Sequence, residues 1–277
     1  MPDGGVTARL LRREQWIVGA CLFLIAALAW LWLFRTAAGM DAERASSMAG
    51  MSMPGMDMPG MAMPAAAPDP PAAYLASAFA MWFLMMTAMM LPSASPMILL
   101  YARVAHGLKA KGKVLVPTAI FAGVYLGVWA AFSLLAAITQ MLLVYAGVVS
   151  AASLRIGDEH IAGGLLIAAG AYQLTPLKSV CIKSCRSPLS FLTQHWRPDA
   201  AGAIRLGLRH GLYCLGCCWM LMALLFIGGV MSLVWVAILA FVVLVEKVAP
   251  LGRFLGTAAG VVAIVVGAGL ILGVRIP

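Results

Sequence analysis

Charge is scarce in this 277-residue chain: Asp, Glu, Lys and Arg together make up 10% of it, against 63% hydrophobic residues and a mean hydropathy of +0.98. That balance excludes an ordinary soluble domain, where charged residues are about a quarter of the total, and leaves a polytopic membrane protein. Acidic residues are the scarcer sign, 10 against 19 basic, for a formal charge of +9. The basic residues sit in short clusters beside apolar runs rather than along one face. This excludes a nucleic-acid surface and is the distribution that membrane orientation requires. Histidines are four and scattered, no acid pair falls inside an apolar run, and no Gly-x-x-x-x-Gly-Lys-Ser/Thr stretch is present. Nucleophile–base catalysis and P-loop nucleotide hydrolysis have no residues to rest on, so the chain is expected not to be an enzyme. Cysteines number six, an even count, but five fall in two tight clusters, which argues against a secreted disulfide framework.

What is abundant is apolar sequence in span-sized runs. Trp16 to Phe34 is a run of 19 residues, about 28 Å as a helix, preceded by Arg9, Arg12 and Arg13. Further spans read as Ala73 to Tyr101, Val114 to Ala137, Ile161 to Leu177, Leu206 to Met231, Leu233 to Val248 and Phe254 to Gly273. The predicted fold is therefore all-α, a transmembrane helix bundle of about seven spans in a bacterial inner membrane, with the lipid bilayer as its solvent. Its parts are an N-terminal anchor over 1–34, an external loop over 35–73 and a six-span core over 74–277. The segment Ile138 to Ser153 is ambiguous. As an eighth span it would put the largest basic loop outside, so it reads as an extension of the third helix or a surface-lying helix. The amino terminus is then cytoplasmic and the carboxyl terminus external.

Methionine supplies the first chemical signal. Met48, Met51, Met53, Met56, Met58, Met61 and Met63 alternate steps of three and two through a repeated Met-Pro-Gly-Met-x unit. Pro54, Gly55, Pro59 and Gly60 interrupt the stretch, so its thioethers cannot share one packed face. Many soft ligands on a loose tether suit Cu(I), though a linker that has drifted toward Met has the same composition. In the second span Met81, Met85 and Met89 follow at steps of four, with Met86 and Met90 as a parallel pair, placing thioethers one helical turn apart. Such a stripe serves packing as well as ligation. Pro92 and Pro96 remove two backbone donors, so the helix should kink or break there and free carbonyls that need a partner.

Cysteine supplies the second. Cys181 and Cys185 close the fourth span, and Cys214, Cys217 and Cys218 lie in the fifth, both clusters read as lying toward the cytoplasmic ends of their helices. The steps of four allow two facing pairs to offer four sulfurs to one metal, with Cys217 or His210 to spare. Nearby Lys178, Lys183, Arg186 and Arg209 would favour the thiolate form that binds metal. Zn(II) in a closed four-sulfur site is the structural alternative; Cu(I) alone links the thiols to the Met-rich loop. Glu246 and Lys247, at the end of the sixth span, read equally as a site or as an interfacial snorkelling pair. Asp158, Glu159 and His160 read mainly as a helix start.

Several of these motifs, from Met81-Trp82 through Pro92-Ser93 and Pro96-Met97, by Tyr172-Gln173-x-x-Pro176-Leu177-Lys178-x-x-Cys181-x-x-x-Cys185-Arg186, to Tyr213-Cys214-x-Gly216-Cys217-Cys218-Trp219, Gly229-Val230-Met231 and Glu246-Lys247, occur in order. Over about 79–250 the chain resembles a bacterial family of integral membrane proteins predicted to bind metal, a domain of unknown function. The resemblance implies metal binding through the Cys and Met motifs without naming the metal. The expected function is copper handling: capture by external thioethers and transfer to cytoplasmic-side thiolates, for uptake, delivery or sequestration. A periplasmic or cytoplasmic metal chaperone is the expected protein partner. The alternatives are a membrane thiol–disulfide oxidoreductase, which would need a cysteine pair on the far face beyond the single Cys21, and a membrane subunit with a structural metal.

Overall fold

The computed structural model describes residues 4–51, 71–109, 118–151, 153–197 and 199–274. Among the described residues ten helices follow one another: α1 (Gly4–Met51), α2 (Pro71–Lys109), α3 (Thr118–Tyr145), α4 (Glu159–Gln173), α5 (Pro176–Arg186), α6 (Pro188–His195), α7 (Ala200–Ala223), α8 (Leu225–Gly228), α9 (Leu233–Val248) and α10 (Gly252–Ile271). Among the described residues the only β pairing is a single bridge between Val149 and Ile156. The fold is the expected all-α bundle.

Among the described residues five helical segments are long and apolar enough to cross a membrane, and a sixth is gained if α4 and α5, bent by 62° across their break, count as one. This differs from the seven expected, and the difference lies in α9. Its 16 residues reach about 24 Å, short of a hydrocarbon core of about 30 Å. The bend has a local cause. Thr175 caps α5, its side chain accepting from the Lys178 N–H, and Pro176 occupies the first turn, where its missing N–H is harmless. The apolar run through Leu177 is thus two helices. The ambiguous segment after Ala137 continues α3 to Tyr145, then turns, with Ile156 N–H donating to the Phe226 carbonyl at 2.8 Å. Asp158 caps α4 by accepting from the Ile161 N–H at 2.9 Å, the helix start expected of it, and that bond holds its carboxyl below the usual carboxylate range.

Helix α1 runs on to Met51, through much of the stretch expected to be loop; Met48 and Met51 therefore lie on a helix, while Met53, Met56, Met58, Met61 and Met63 fall outside the described residues. Leu22, Ala26, Ala29, Leu33 and Ala37 form its buried face, at helical spacing, against α2. Trp16, Phe23 and Leu28 point outward and are exposed, as are Phe241, Val262 and Val265 elsewhere on the bundle. An exterior this apolar suits a lipid solvent.

Helix α2 is the central element, packed against α1, α3, α6 and α9. It stays helical through Pro92 and Pro96. Pro92 leaves the Ala88 carbonyl without its helical donor, and Trp30 Nε1 from α1 donates to it at 3.2 Å; Pro96 does the same to the Pro92 carbonyl, which the Ser95 hydroxyl meets at 2.8 Å.

Helices α4 and α10 approach through glycine. A Cβ on Gly170 would stand 2.5 Å from the Gly260 carbonyl oxygen, and one on Gly163 would stand 2.7 Å from that of Gly267. Small residues allow this backbone contact. Gly170→Ala is expected to lower stability by about 1–3 kcal/mol through overpacking, whereas Gly164→Ala, whose Cβ meets nothing within 4 Å, should raise it by up to about 1 kcal/mol. Unfolding of the two variants in detergent, followed by circular dichroism, reads the opposite signs.

Candidate metal centre

Asp199 starts α7 by accepting from the Gly202 N–H at 2.9 Å, and the helix then runs unbroken past its cysteines. Its buried face carries Leu206, His210, Cys214, Cys217, Cys218 and Leu221. Gly207 and Gly211 bring α3 close: a Cβ on Gly207 would stand 2.8 Å from the Phe121 carbonyl oxygen. The close approach places Tyr125 of α3 within hydrogen-bond distance of Cys214, its hydroxyl 3.2 Å from Sγ and 3.2 Å from the Met90 carbonyl oxygen.

Cys214, Cys217 and Cys218 are 1–2% exposed and Met90 is fully buried. Cys218 Sγ lies 3.9 Å from Met90 Sδ. The Cys217 and Cys218 thiols point back along their helix to the Cys214 carbonyl, at 3.0 and 2.9 Å. Cys218 thus meets a thioether from another helix, one turn along from Cys214, in an interior with no solvent contact. Cys214 lies just past the middle of α7 and Cys217 and Cys218 lie in its last third, opposite mid-length of α2. Cys185, by contrast, lies in the last turn of α5.

The second cluster joins only in part. Cys185 on α5 lies on the side of Cys214 and Cys217, near enough to interact with them electrostatically. Cys181 instead packs at Gly216, where an added Cβ would stand 2.9 Å from its Sγ. The Tyr172 hydroxyl donates to the carbonyl of the same glycine. Among the described residues no group of three or more His, Cys, Asp or Glu side chains is placed to hold a metal ion. The closed four-sulfur arrangement expected of Cys181, Cys185, Cys214 and Cys218 is therefore not assembled. What the geometry offers is a thiol in contact with a thioether and a second thiol one turn away, donors that suit a soft ion of low coordination number better than tetrahedral Zn(II). Of the methionine stripe, Met90 has a sulfur contact with the thiols. Met81, Met85, Met86 and Met89 are buried in the bundle around α2.

The cation at the thiols is one that sequence reading left undecided. Lys247 Nζ donates to Cys214 Sγ at 3.0 Å and to Ser93 Oγ at 3.2 Å, and lies 3.8 Å from Met90 Sδ. Lys178, expected beside the thiols, turns away to Glu246 at 2.6 Å and to Gln173, while Arg186 covers the carbonyls of Ala249 and Pro250 at 2.7 and 3.1 Å. Glu246 and Lys247 are 2% and 6% exposed, which excludes a snorkelling pair. Neighbours on a helix diverge by about 100°, so Glu246 faces the α4–α5 break while Lys247 faces α2 and α7. His210 was read only as a spare ligand. It is buried one turn before Cys214 among Phe121, Tyr125 and Phe191, and neither ring nitrogen has a hydrogen-bond partner.

The Lys178–Glu246 pair is buried on both sides, with side chains 5% and 3% exposed. Glu246→Leu leaves the ammonium unpaired and is expected to cost about 3–5 kcal/mol. The double variant Lys178→Met/Glu246→Leu should recover most of that loss, read as unfolding midpoints in detergent.

No curated protein and no solved structure matches the chain. Residues 79–270 match the PpoB2 family, described as a copper chaperone, from the same start as the motif resemblance and past its expected end. The buried thiol and thioether donors lie within that span, and with most of its length matched the chain belongs to this copper chaperone family.

Proposed function

We propose that the chain is an integral protein of the bacterial inner membrane that carries Cu(I) as cargo and hands it to a partner protein, a carrier rather than a catalyst. The observation behind this reading is the contact of Cys218 Sγ with Met90 Sδ at 3.9 Å in an interior closed to solvent, with Cys214 one turn away and Lys247 reaching both Met90 and Cys214. Thiolates and thioethers are soft donors, and a low coordination number favours monovalent copper over Zn(II). Membership of a copper chaperone family and the apolar exterior of the bundle support the same reading.

The methionines give the cargo a route. Met48 to Met63 precede α2 and would capture the ion as thioethers. Met81, Met85, Met86 and Met89 then descend α2 to Met90, an axial rise of about 14 Å from Met81. Transfer from neutral thioether to charged thiolate runs toward the stronger donor and needs no nucleotide. Cys185, close to Cys214 and Cys217, and Cys181 beyond it would form the onward path along α5. His210 lies on the other side of Cys214 along α7 and offers a nitrogen donor there.

Titration of the reduced, detergent-purified protein with Cu(I), in competition with a chromophoric chelator, tests the reading. Tight binding is expected in the wild type. Cys214→Ser/Cys218→Ser should weaken it by more than the roughly hundredfold that loss of an outer hydrogen-bond partner costs at metal sites. Cys21→Ser, on the exposed face of α1, should leave it unchanged. Equal affinity in all three proteins would overturn the assignment.

A further inference from the structure

Lys247 brings a positive charge into the centre, and the carboxylate beside it in sequence is engaged elsewhere. Glu246 is held by Lys178 at 2.6 Å and by Gln173 Nε2 at 2.8 Å, facing away from the sulfurs. The Lys247 ammonium has three N–H groups and three neighbours to receive them: Cys214 Sγ at 3.0 Å, Ser93 Oγ at 3.2 Å and Met90 Sδ at 3.8 Å. Two of those three atoms are the sulfurs proposed to hold the cargo.

We propose that Lys247 is a specificity-determining residue, which makes this centre select a monovalent over a divalent metal ion. The inference rests on the reading of Cys214, Cys218 and Met90 as a copper site. A charge that is 94% withdrawn from solvent must be balanced locally, because unpaired burial is strongly unfavourable. Two thiolates around Cu(I), with a neutral thioether, form a complex of net charge −1, and the ammonium brings the sum to zero. The same two thiolates around Zn(II) are already neutral, so the ammonium is left uncompensated and repels the second unit of metal charge. A third thiolate would restore the balance for a divalent ion. Among the described residues no third cysteine, histidine or carboxylate is placed with them to provide it. Met90, being neutral, adds affinity for a soft ion without altering this arithmetic. Tyr125, the remaining polar group at Cys214, is also uncharged in this role.

The two metals measured side by side on the full-length, reduced protein separate this role from simple packing. Cu(I) and Zn(II) affinities are determined by chelator competition for the wild type and for Lys247→Arg, Lys247→Gln and Lys247→Leu. The ratio of Cu(I) to Zn(II) affinity should fall at least tenfold in the Gln and Leu variants. The ceiling is about a thousandfold, for one unit charge at about 4 Å in a medium of effective dielectric constant about 20. The Arg variant, which keeps the charge, should keep the ratio. Gln retains volume and a hydrogen-bond donor, so it carries the test if Leu fails to fold. If both affinities change by the same factor, or the ratio holds, Lys247 only packs the site and the inference is overturned while the copper reading stands. If the wild type binds no Cu(I), the copper reading falls and takes the inference with it.

Discussion

The ion pair between Lys178 and Glu246 fixes the geometry on which the centre depends. Lys178 stands in the first turn of α5, just beyond the break, and Glu246 stands near the end of α9. Their contact at 2.6 Å ties the bent segment to α9. With Glu246 held in that direction, the helical step of about 100° carries the next residue, Lys247, toward α2 and α7. The ammonium that meets Cys214 is therefore positioned by a salt bridge on the other side of the same helix. Gly256 belongs to this device as well, since a Cβ there would stand 2.9 Å from Glu246 Oε1.

The same demand, that polar groups inside an apolar bundle find partners, accounts for the middle of α2. Pro92 and Pro96 leave carbonyls that Trp30 and Ser95 satisfy, and the Met90 carbonyl receives both Tyr125 and Ser93, the latter at 2.9 Å. The residues around Met90 are thus held by α1, α3 and α9 together. A rigid frame around a soft, flexible thioether suits a site that must receive and release an ion without rebuilding itself. His210, whose two ring nitrogens lack partners, and Trp129, whose Nε1 lacks one, are the exceptions among the described residues.

The fold class was legible because span-sized apolar runs have few other uses, and the chemistry was legible because cysteine and methionine recur at helical spacing. That Met90 would meet Cys218 was not read from either motif, because each recurs on its own helix and nothing in the spacing says which turn of α2 faces α7. Depth was not legible. Counting basic clusters orients helix ends, but it says nothing of how far along a helix a residue sits when the helix begins earlier than its apolar run; α7 starts at Ala200 rather than Leu206, which moves Cys214 to mid-length. Lys247 was ambiguous for a related reason. A Glu-Lys pair after an apolar run looks interfacial until the partners, Lys178 and Cys214, arrive from other helices. The Thr175-Pro176 break did carry a local signal, a capping threonine before a first-turn proline, which the continuous hydropathy of the run concealed.

The central claim is that buried sulfur holds the cargo. Copper-edge X-ray absorption of the Cu(I)-loaded, full-length protein tests it most directly, because it reports the elements bound to the metal whatever the affinity or route. The account predicts a first shell of sulfur alone, with a low coordination number, that is lost in Cys214→Ser/Cys218→Ser. A shell dominated by nitrogen or oxygen, unchanged by those substitutions, would contradict it.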